Sequence, residues 1–128
     1  MSAMSLTHPD LDQIELANVL TALGDETRLA MIGYMASNDE VEMSCGQFLG
    51  LGSKTALSYH LSKLREAGIV TVRPQGTRRL ISLRRADLDQ RFPGFLDAIL
   101  GSARDAAQHV QSQKAAAGAT AEGAEDWD

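Results

Sequence analysis

Basic side chains are concentrated in one part of the chain, residues 53–85, although the chain as a whole is acidic. This basic segment contains one acidic residue and carries a net charge of +7, whereas all 128 residues together carry −5. Clustered guanidinium and ammonium groups attract polyanions, since each can neutralise a phosphate. The segment therefore predicts binding of duplex DNA. Its cations are Lys54, Lys63, Arg65, Arg73, Arg78, Arg79, Arg84 and Arg85.

Residues 53–67 have the spacing of an amphipathic helix. Leu57, Leu61 and Leu64 fall on one narrow apolar stripe at 3.6 residues per turn, and Gly68 suits the position after the C-terminus. Hydroxyl and ammonium groups on the opposite side could bond phosphates or base edges in a major groove. An ordinary solvated helix face is the alternative. The DNA contacts predicted from this helix are Ser53, Lys54, Thr55, Ser58, Tyr59, Ser62 and Lys63.

The rest of the basic segment predicts a β-hairpin with cations on both sides of its turn. Residues 69–73 and 78–83 are rich in Ile, Val, Leu and Thr, and residues 74–77 have the composition of a turn. A protruding basic turn can reach phosphates or a minor groove. The alternative is charged protection of a sheet edge. The DNA contacts predicted from this hairpin are Arg73, Gln75, Thr77, Arg78 and Arg79.

Three helices are predicted before the basic segment, and they would position it. Apolar spacing gives a first helix over about 10–23, and Asp25 is a good N-cap for a second. Ser44 and Gln47 have the spacing of a capping box, which predicts a short third helix to about Gly50.

The C-terminal part predicts a helical turn, a long helix and a tail. Asp87 is placed to cap the short turn, and Pro93 suits the first turn of the long helix. From Lys114 the chain is mostly Ala, Gly and acidic residues, a composition typical of disorder. The expected organisation is an N-terminal extension at 1–9, one domain at 10–112 and a disordered acidic tail at 113–128.

The order of these elements is that of a winged helix-turn-helix, mainly α with a small β-hairpin. We expect five or six helices plus a two-stranded wing. Residues 23–29 read LGDETRL and resemble the L-x-D-x-T-R-L opening of ArsR-type (arsenic-repressor-like) regulators. Residues 58–70 read SYHLSKLREAGIV and resemble that family's S-x-H-L-x-x-L-R-x-A-G-L-V signature. The resemblance covers about residues 14–110 and implies a homodimer that represses transcription at an inverted-repeat operator.

The resemblance also implies a dimer interface built from the first and last helices. An apolar stripe on the predicted last helix fits this role, and an intramolecular core is the alternative. The predicted interface residues are Leu16, Leu20, Phe95, Leu96, Ile99, Leu100 and Ala103.

Metal sensing, which is common in this family, is not predicted. The stretch that corresponds to the family's C-x-C motif retains one thiol, Cys45, and a thiolate metal site needs several ligands. His60 is expected to pack, and His109 with Asp105 lacks further ligands. At a helix N-terminus Cys45 could be a redox sensor, and the alternative is a small buried core residue.

Other functional classes are not indicated. No catalytic arrangement or Gly-rich phosphate loop is evident, so we expect neither an enzyme nor a cofactor. A single cysteine is typical of a reducing compartment, and neither a signal peptide nor a membrane span is apparent. We therefore expect a cytoplasmic protein without membrane contact. The sequence specifies no effector. Two alternatives stay open: a winged-helix module that docks an acidic protein, and a small-molecule sensor with a ligand pocket at the dimer interface.

Overall fold

The computed structural model describes residues 6–116. This part of the chain contains five α-helices, three strands and two 3-10 helices. The α-helices are α1 (Leu16–Leu23), α2 (Glu26–Ser37), α3 (Lys54–Glu66), α4 (Arg85–Arg91) and α5 (Phe95–Ala116). The strands are β1 (Met43–Ser44), β2 (Val70–Gln75) and β3 (Arg78–Leu83), and the 3-10 helices span Leu11–Gln13 and Cys45–Leu51.

The strands form one antiparallel sheet in the order β1-β3-β2. The hairpin of β2 and β3 pairs Val72 with Ile81, and β1 adds Met43 on the other side of Ile81. A mainly helical chain with this small sheet confirms the predicted winged helix-turn-helix fold. The third strand was not predicted, because β1 is two residues long and its partner lies far along the chain.

α3 packs on α1, α2, β2 and the 3-10 helix at Cys45–Leu51, and α2 in turn packs on α5. Leu57, Leu61 and Leu64 are buried, as predicted, and they fix which side of α3 faces outward. α2 and α5 approach closely at Gly33, which lies against the backbone of Ala103. α3 and the hairpin of β2 and β3 are therefore held in place by a close-packed group of helices.

The single helix predicted over 10–23 is wrong. A 3-10 turn at Leu11–Gln13 is followed by Ile14 in an extended conformation, and α1 begins only at Leu16. Ile14 is fully buried, and its carbonyl accepts hydrogen bonds from the Arg91 guanidinium. The helix does not run through Ile14, whose side chain is in the core and whose carbonyl is bonded to Arg91 instead of to a helical amide.

Two predicted helix starts are also corrected. α4 begins after Arg84, and Asp87 lies in its first turn and accepts from the Arg84 guanidinium instead of capping the helix. α5 begins after Pro93, because Gly94 has φ +82°, which is not a helical conformation. By contrast, the capping box of Ser44 and Gln47 is present as predicted, although the helix it starts is 3-10.

Part of the predicted disordered tail is helical. α5 continues to Ala116, so residues 113–116, which were assigned to the tail, are helical. Residues 1–5 and 117–128 lie outside the described range, and so does most of the predicted tail. No helix within residues 6–116 is long and apolar enough to span a bilayer.

Candidate nucleic-acid interface

α3 presents the polar side chains that its sequence predicted. The Ser53 hydroxyl accepts from the amide of Ala56 at 3.2 Å, so Ser53 is the N-cap. Thr55 is exposed, whereas Ser58 and Ser62 are partly buried. The Ser62 hydroxyl donates to the Ser58 carbonyl at 3.2 Å and so has one bond satisfied within the helix.

Tyr59 is the most prominent side chain on this outer face, with 57% of its surface exposed. Its ring meets the His60 ring edge to face at 5.5 Å between centroids. The Lys63 ammonium lies 5.4 Å from the centre of the Tyr59 ring. These contacts restrict the Tyr59 ring, while more than half of the residue's surface stays open to solvent.

The turn of the hairpin carries two uncompensated cations. Gln75 pairs with Arg78 at its base, and Gly76 has φ +62°, which favours glycine. Thr77, Arg78 and Arg79 are exposed. Within residues 6–116, neither Arg78 nor Arg79 forms an ion pair or a side-chain hydrogen bond. Both guanidinium groups are therefore available to phosphates.

Two other arginines of the basic segment are committed to intramolecular contacts. Arg84 donates to Asp87 and, at 2.8 Å, to the Pro9 carbonyl. Arg85 binds Glu40 at 2.6 Å and Asp97 at 2.7 Å. Hydrogen bonding to Glu40 and then to Asp97 raises the pKa of Arg85. These two cations join α4 and α5 to other elements and add no free charge for DNA.

Three more cations of the basic segment also contact other groups of the chain. Arg65 donates to the Thr7 carbonyl, which ties the N-terminal segment to α3. Lys63 lies 3.8 Å from Glu66 in an exposed pair, a weak contact. Arg73, which was predicted to contact DNA, donates to Glu42 at 2.8 Å, and this hydrogen bond raises the pKa of Arg73. The charge count of the sequence therefore overstated the free positive charge.

A cluster beneath α3 gives a physical role to part of the sequence signature. The Asp25 carboxylate caps α2 by accepting from the Arg28 amide at 3.0 Å, and the Arg28 guanidinium donates to the Ala22 carbonyl at 2.6 Å. The same guanidinium lies 3.0 Å from His60 Nδ1. Because a guanidinium only donates, Nδ1 must accept, and His60 is neutral with its proton on Nε2. The cluster fixes α3 against the end of α1 and the start of α2.

Burial lowers the pKa of His60 below its usual value, and Arg28 lowers it further, although Asp25 opposes the shift. His8 has a similar environment: its Nε2 accepts from the Val72 amide at 3.1 Å, and burial is again the main cause of a lowered pKa. Both imidazoles are held neutral by donors that protonation would repel.

We expect the protein to lose stability as the pH falls below about 6.5, the usual pKa of an unfolded-chain histidine. A histidine with a lowered folded pKa stabilises the fold fully above that value and loses its contribution as the pH falls through the folded value. Thermal unfolding of His60→Gln between pH 7.5 and 5 should show a shallower loss than the wild type. His109→Gln, at an exposed site on α5, is the control. Equal slopes in His60→Gln and the wild type would contradict the assignment.

Comparison with known proteins agrees with this geometry. Residues 23–73, from the end of α1 into β2, match a family of helix-turn-helix domains. Over 103 residues the chain is 37% identical to the uncharacterized HTH-type transcriptional regulator YceK of Bacillus subtilis (strain 168). The aligned part covers 77% of this chain and 97% of that protein. The chain belongs to the helix-turn-helix transcriptional regulators.

The regulator buries part of its predicted dimer interface inside one copy of the chain. Leu96, Leu100 and Ala103 lie in the core, where α5 packs against α2, so they form intramolecular core as the alternative proposed. Assigning these three to contact with a second copy was wrong, because a single chain already covers their side chains. Phe95 and Ile99 are only partly buried.

Two residues of the predicted interface are exposed. Leu16 and Leu20, one turn apart on α1, are 41% and 50% exposed. They leave an apolar strip on the surface of the regulator.

Cys45 lies in the core with 1% of its surface exposed. A redox-sensing thiol has to meet its oxidant, whereas this one is shielded. The burial matches the alternative interpretation, a small core residue. Within residues 6–116, no three His, Cys, Asp or Glu side chains come together as a metal site.

Glu42 and Arg28 hold residues of the candidate interface in place, since Glu42 binds Arg73 and Arg28 contacts His60. Sequence analysis gave neither residue this role. Arg28 occurs in the matched 23–29 motif, which was a signal, although its contact with His60 was not foreseen. Glu42 lies in a polar loop, and its partner Arg73 is 31 positions away, so no local pattern indicates the pair.

Proposed function

We propose that this regulator is an ArsR-type repressor that binds an inverted-repeat operator as a homodimer. The single observation that carries DNA binding is the pair of exposed arginines at the hairpin turn, Arg78 and Arg79, which form no ion pair within residues 6–116 and follow a helix with a polar outer face. Such guanidinium groups form charge-assisted, bidentate hydrogen bonds with phosphates. The overall acidity of the chain, −5, makes a local basic turn the more specific signal.

The two elements divide the work in this proposal. Side chains on the outer face of α3, chiefly Thr55, Ser58 and Tyr59, contact base edges in a major groove. Arg78 and Arg79 contact phosphates, and Gln75 and Thr77 add polar groups at the tip of the turn. Helix contacts then supply sequence preference, and turn contacts supply affinity for any duplex.

Duplex binding by the full chain tests the proposal. Fragments of the source genome selected by the protein, and a random duplex of equal length, are titrated by fluorescence anisotropy at several salt concentrations. Log affinity should fall linearly with log salt, with a slope of about 0.9 per phosphate contact. A random acidic polypeptide is the competitor that represents the alternative function, docking of an acidic protein. Salt-insensitive binding, or displacement by the polypeptide but not by duplex, would overturn the DNA assignment.

Dimerisation is proposed through the exposed strip of α1. Leu20→Asp adds a charge where a second copy would cover an apolar side chain, and it should leave the fold intact because Leu20 is half exposed. We expect sedimentation equilibrium to show a monomer and operator affinity to fall by about tenfold or more, since two half-sites need two linked copies.

Asn18→Asp is the matched control for this substitution. It adds the same charge to α1, about 160° around the helix from Leu20. It should leave both the dimer and operator binding unchanged. A Leu20→Asp protein that still sediments as a dimer would place the interface elsewhere. Leu96→Asp is not an informative variant, because Leu96 is buried within the protomer.

A further inference from the structure

Arg73 and Glu42 form a bidentate ion pair on the surface of the sheet. Arg73 Nη2 lies 2.8 Å from one carboxylate oxygen of Glu42, and Arg73 Nε lies 3.3 Å from the other. About half of the Arg73 side chain and a third of the Glu42 side chain are exposed. Solvent, and any polyanion that approaches the sheet, can therefore reach the pair.

The position of the pair follows from the strand order. Arg73 lies on β2 opposite Leu80, and Glu42 immediately precedes β1 on the far side of the central strand β3. Neighbouring strands lie about 4.8 Å apart, so the Arg73 side chain has to extend across β3 to reach Glu42. Glu42 thus holds the Arg73 guanidinium over the sheet, where half of the side chain stays open to solvent. Arg78 and Arg79, on the same hairpin, have no such carboxylate within residues 6–116.

We propose that Glu42 limits the affinity of this regulator for DNA by competing with phosphates for Arg73. The inference rests on the proposed function. In the wild type Arg73 stays with Glu42 and neutralises no phosphate. Turning to a phosphate would leave the unpaired Glu42 carboxylate near a polyanion, which it would repel. Glu42 therefore weakens binding, and it does so equally for all sequences, because phosphates carry no base identity.

Lower affinity for phosphates suits a regulator that must dissociate from non-specific DNA. Sequence-independent affinity comes mostly from phosphate neutralisation, and excess affinity of this kind holds a protein on the wrong sites. An exposed ion pair contributes little to folding, so stability alone gives a weak reason for this pair. Glu42 therefore lowers the affinity for DNA without contacting DNA itself, by holding the Arg73 guanidinium.

Salt dependence separates this role from a purely structural one. Glu42→Gln keeps the size of the side chain and removes its charge. Titration against a random duplex should give a slope of log affinity against log salt that is steeper by about 0.9 per protomer, because one more phosphate is neutralised. Affinity at low salt should rise by about tenfold. Arg73→Gln alone should change the slope little, and Glu42→Gln with Arg73→Gln should lose the gain.

Asp105→Asn is the matched control, because Asp105 is exposed on α5, which makes no extensive contact with the sheet. It removes the same charge and should leave the slope unchanged. Glu42→Asp has a shorter side chain that reaches Arg73 less well, so it should give an intermediate gain in affinity for duplex. It replaces Glu42→Gln in the test if Glu42→Gln does not fold.

Two outcomes would overturn the inference. One is an unchanged or shallower slope in Glu42→Gln. The other is a slope already lower by about 0.9 in Arg73→Gln, which would mean that Arg73 contacts phosphate in the wild type. In both cases the wild type still binds duplex, so the proposed function stands. Absence of any wild-type binding to duplex would instead reject the proposed function and this inference with it.

Discussion

Replacing Arg78 and Arg79 together by alanine is expected to lower affinity for every duplex by at least about tenfold near physiological salt. Within residues 6–116, both side chains are exposed and without an intramolecular ion partner, so their whole charge is available. The slope of log affinity against log salt should fall by about 0.9 for each phosphate that is no longer neutralised. Anisotropy titrations on operator and random duplexes measure both quantities, and thermal unfolding should show little change.

Tyr59→Ala provides the contrast to this double variant. Tyr59 lies on α3, half exposed, and His60 and Lys63 restrict its ring. If it reads bases, its removal should cost about 1–3 kcal/mol on the operator and much less on random DNA. Its salt slope should stay close to that of the wild type.

The pattern of affinities decides the division of roles. Uniform weakening from Arg78→Ala with Arg79→Ala, and operator-specific weakening from Tyr59→Ala, is the expected result. If Tyr59→Ala weakened both duplexes equally, Tyr59 would be a backbone contact. If the double arginine variant bound random DNA as tightly as the wild type, the hairpin turn would not lie on the DNA.

Local features of the site were predictable because their causes are local. The buried spacing of Leu57, Leu61 and Leu64 determines which face of α3 is outward, and neighbours in sequence establish it. Ser53 caps α3, and Gly68 ends it with φ +86°, a conformation that glycine tolerates best.

Partner choice was not predictable, because partners are distant in sequence. Arg85 was counted as free positive charge, yet Glu40, 45 residues earlier, holds its guanidinium. Arg73 was counted in the same way and is held by Glu42. Charge patterns show where cations are dense, but folding determines which of them are neutralised inside the chain.

The sequence of α5 likewise shows which side chains are buried but not which element covers them. Apolar spacing marked Leu96, Leu100 and Ala103 as one covered face, and that face is covered. The covering element is α2 of the same chain, and only the fold supplies this information. The break at Ile14 was missed for a related reason, since helical spacing continues through it while its burial depends on the distant Arg91 and Gly68.

Gly33→Ala is expected to be among the most damaging single substitutions in the protein. Gly33 lies in the middle of α2, where a helix former would normally be favoured. A Cβ built there lies 2.6 Å from the Arg104 amide nitrogen and closer still to the carbonyl group of Ala103. Backbone atoms of a helix cannot rotate away as a side chain can, so α5 would have to move as a body. Such overpacking costs about 3 kcal/mol or more.

That cost would be visible because the regulator is small. At this size about 1 kcal/mol lowers Tm by roughly 4 °C, so Gly33→Ala should lose at least about 10 °C. Gly101→Ala is the matched control, since it makes the same change in α5 at an exposed position where a Cβ meets no atom within 4 Å. It should raise stability by about 0.5–1 kcal/mol through helix propensity.

The same substitution should therefore act with opposite signs at two helical glycines, and urea unfolding followed by circular dichroism measures both. Propensity alone predicts stabilisation at Gly33 and at Gly101, whereas close packing predicts a large loss of stability at Gly33 only. An unchanged or raised midpoint in Gly33→Ala would mean that α2 and α5 can separate at little cost. The packing of α2 on α5 would then be less rigid than the contact between Gly33 and Ala103 implies. Operator affinity, which needs α3 held in place, should in that case not depend on the contact.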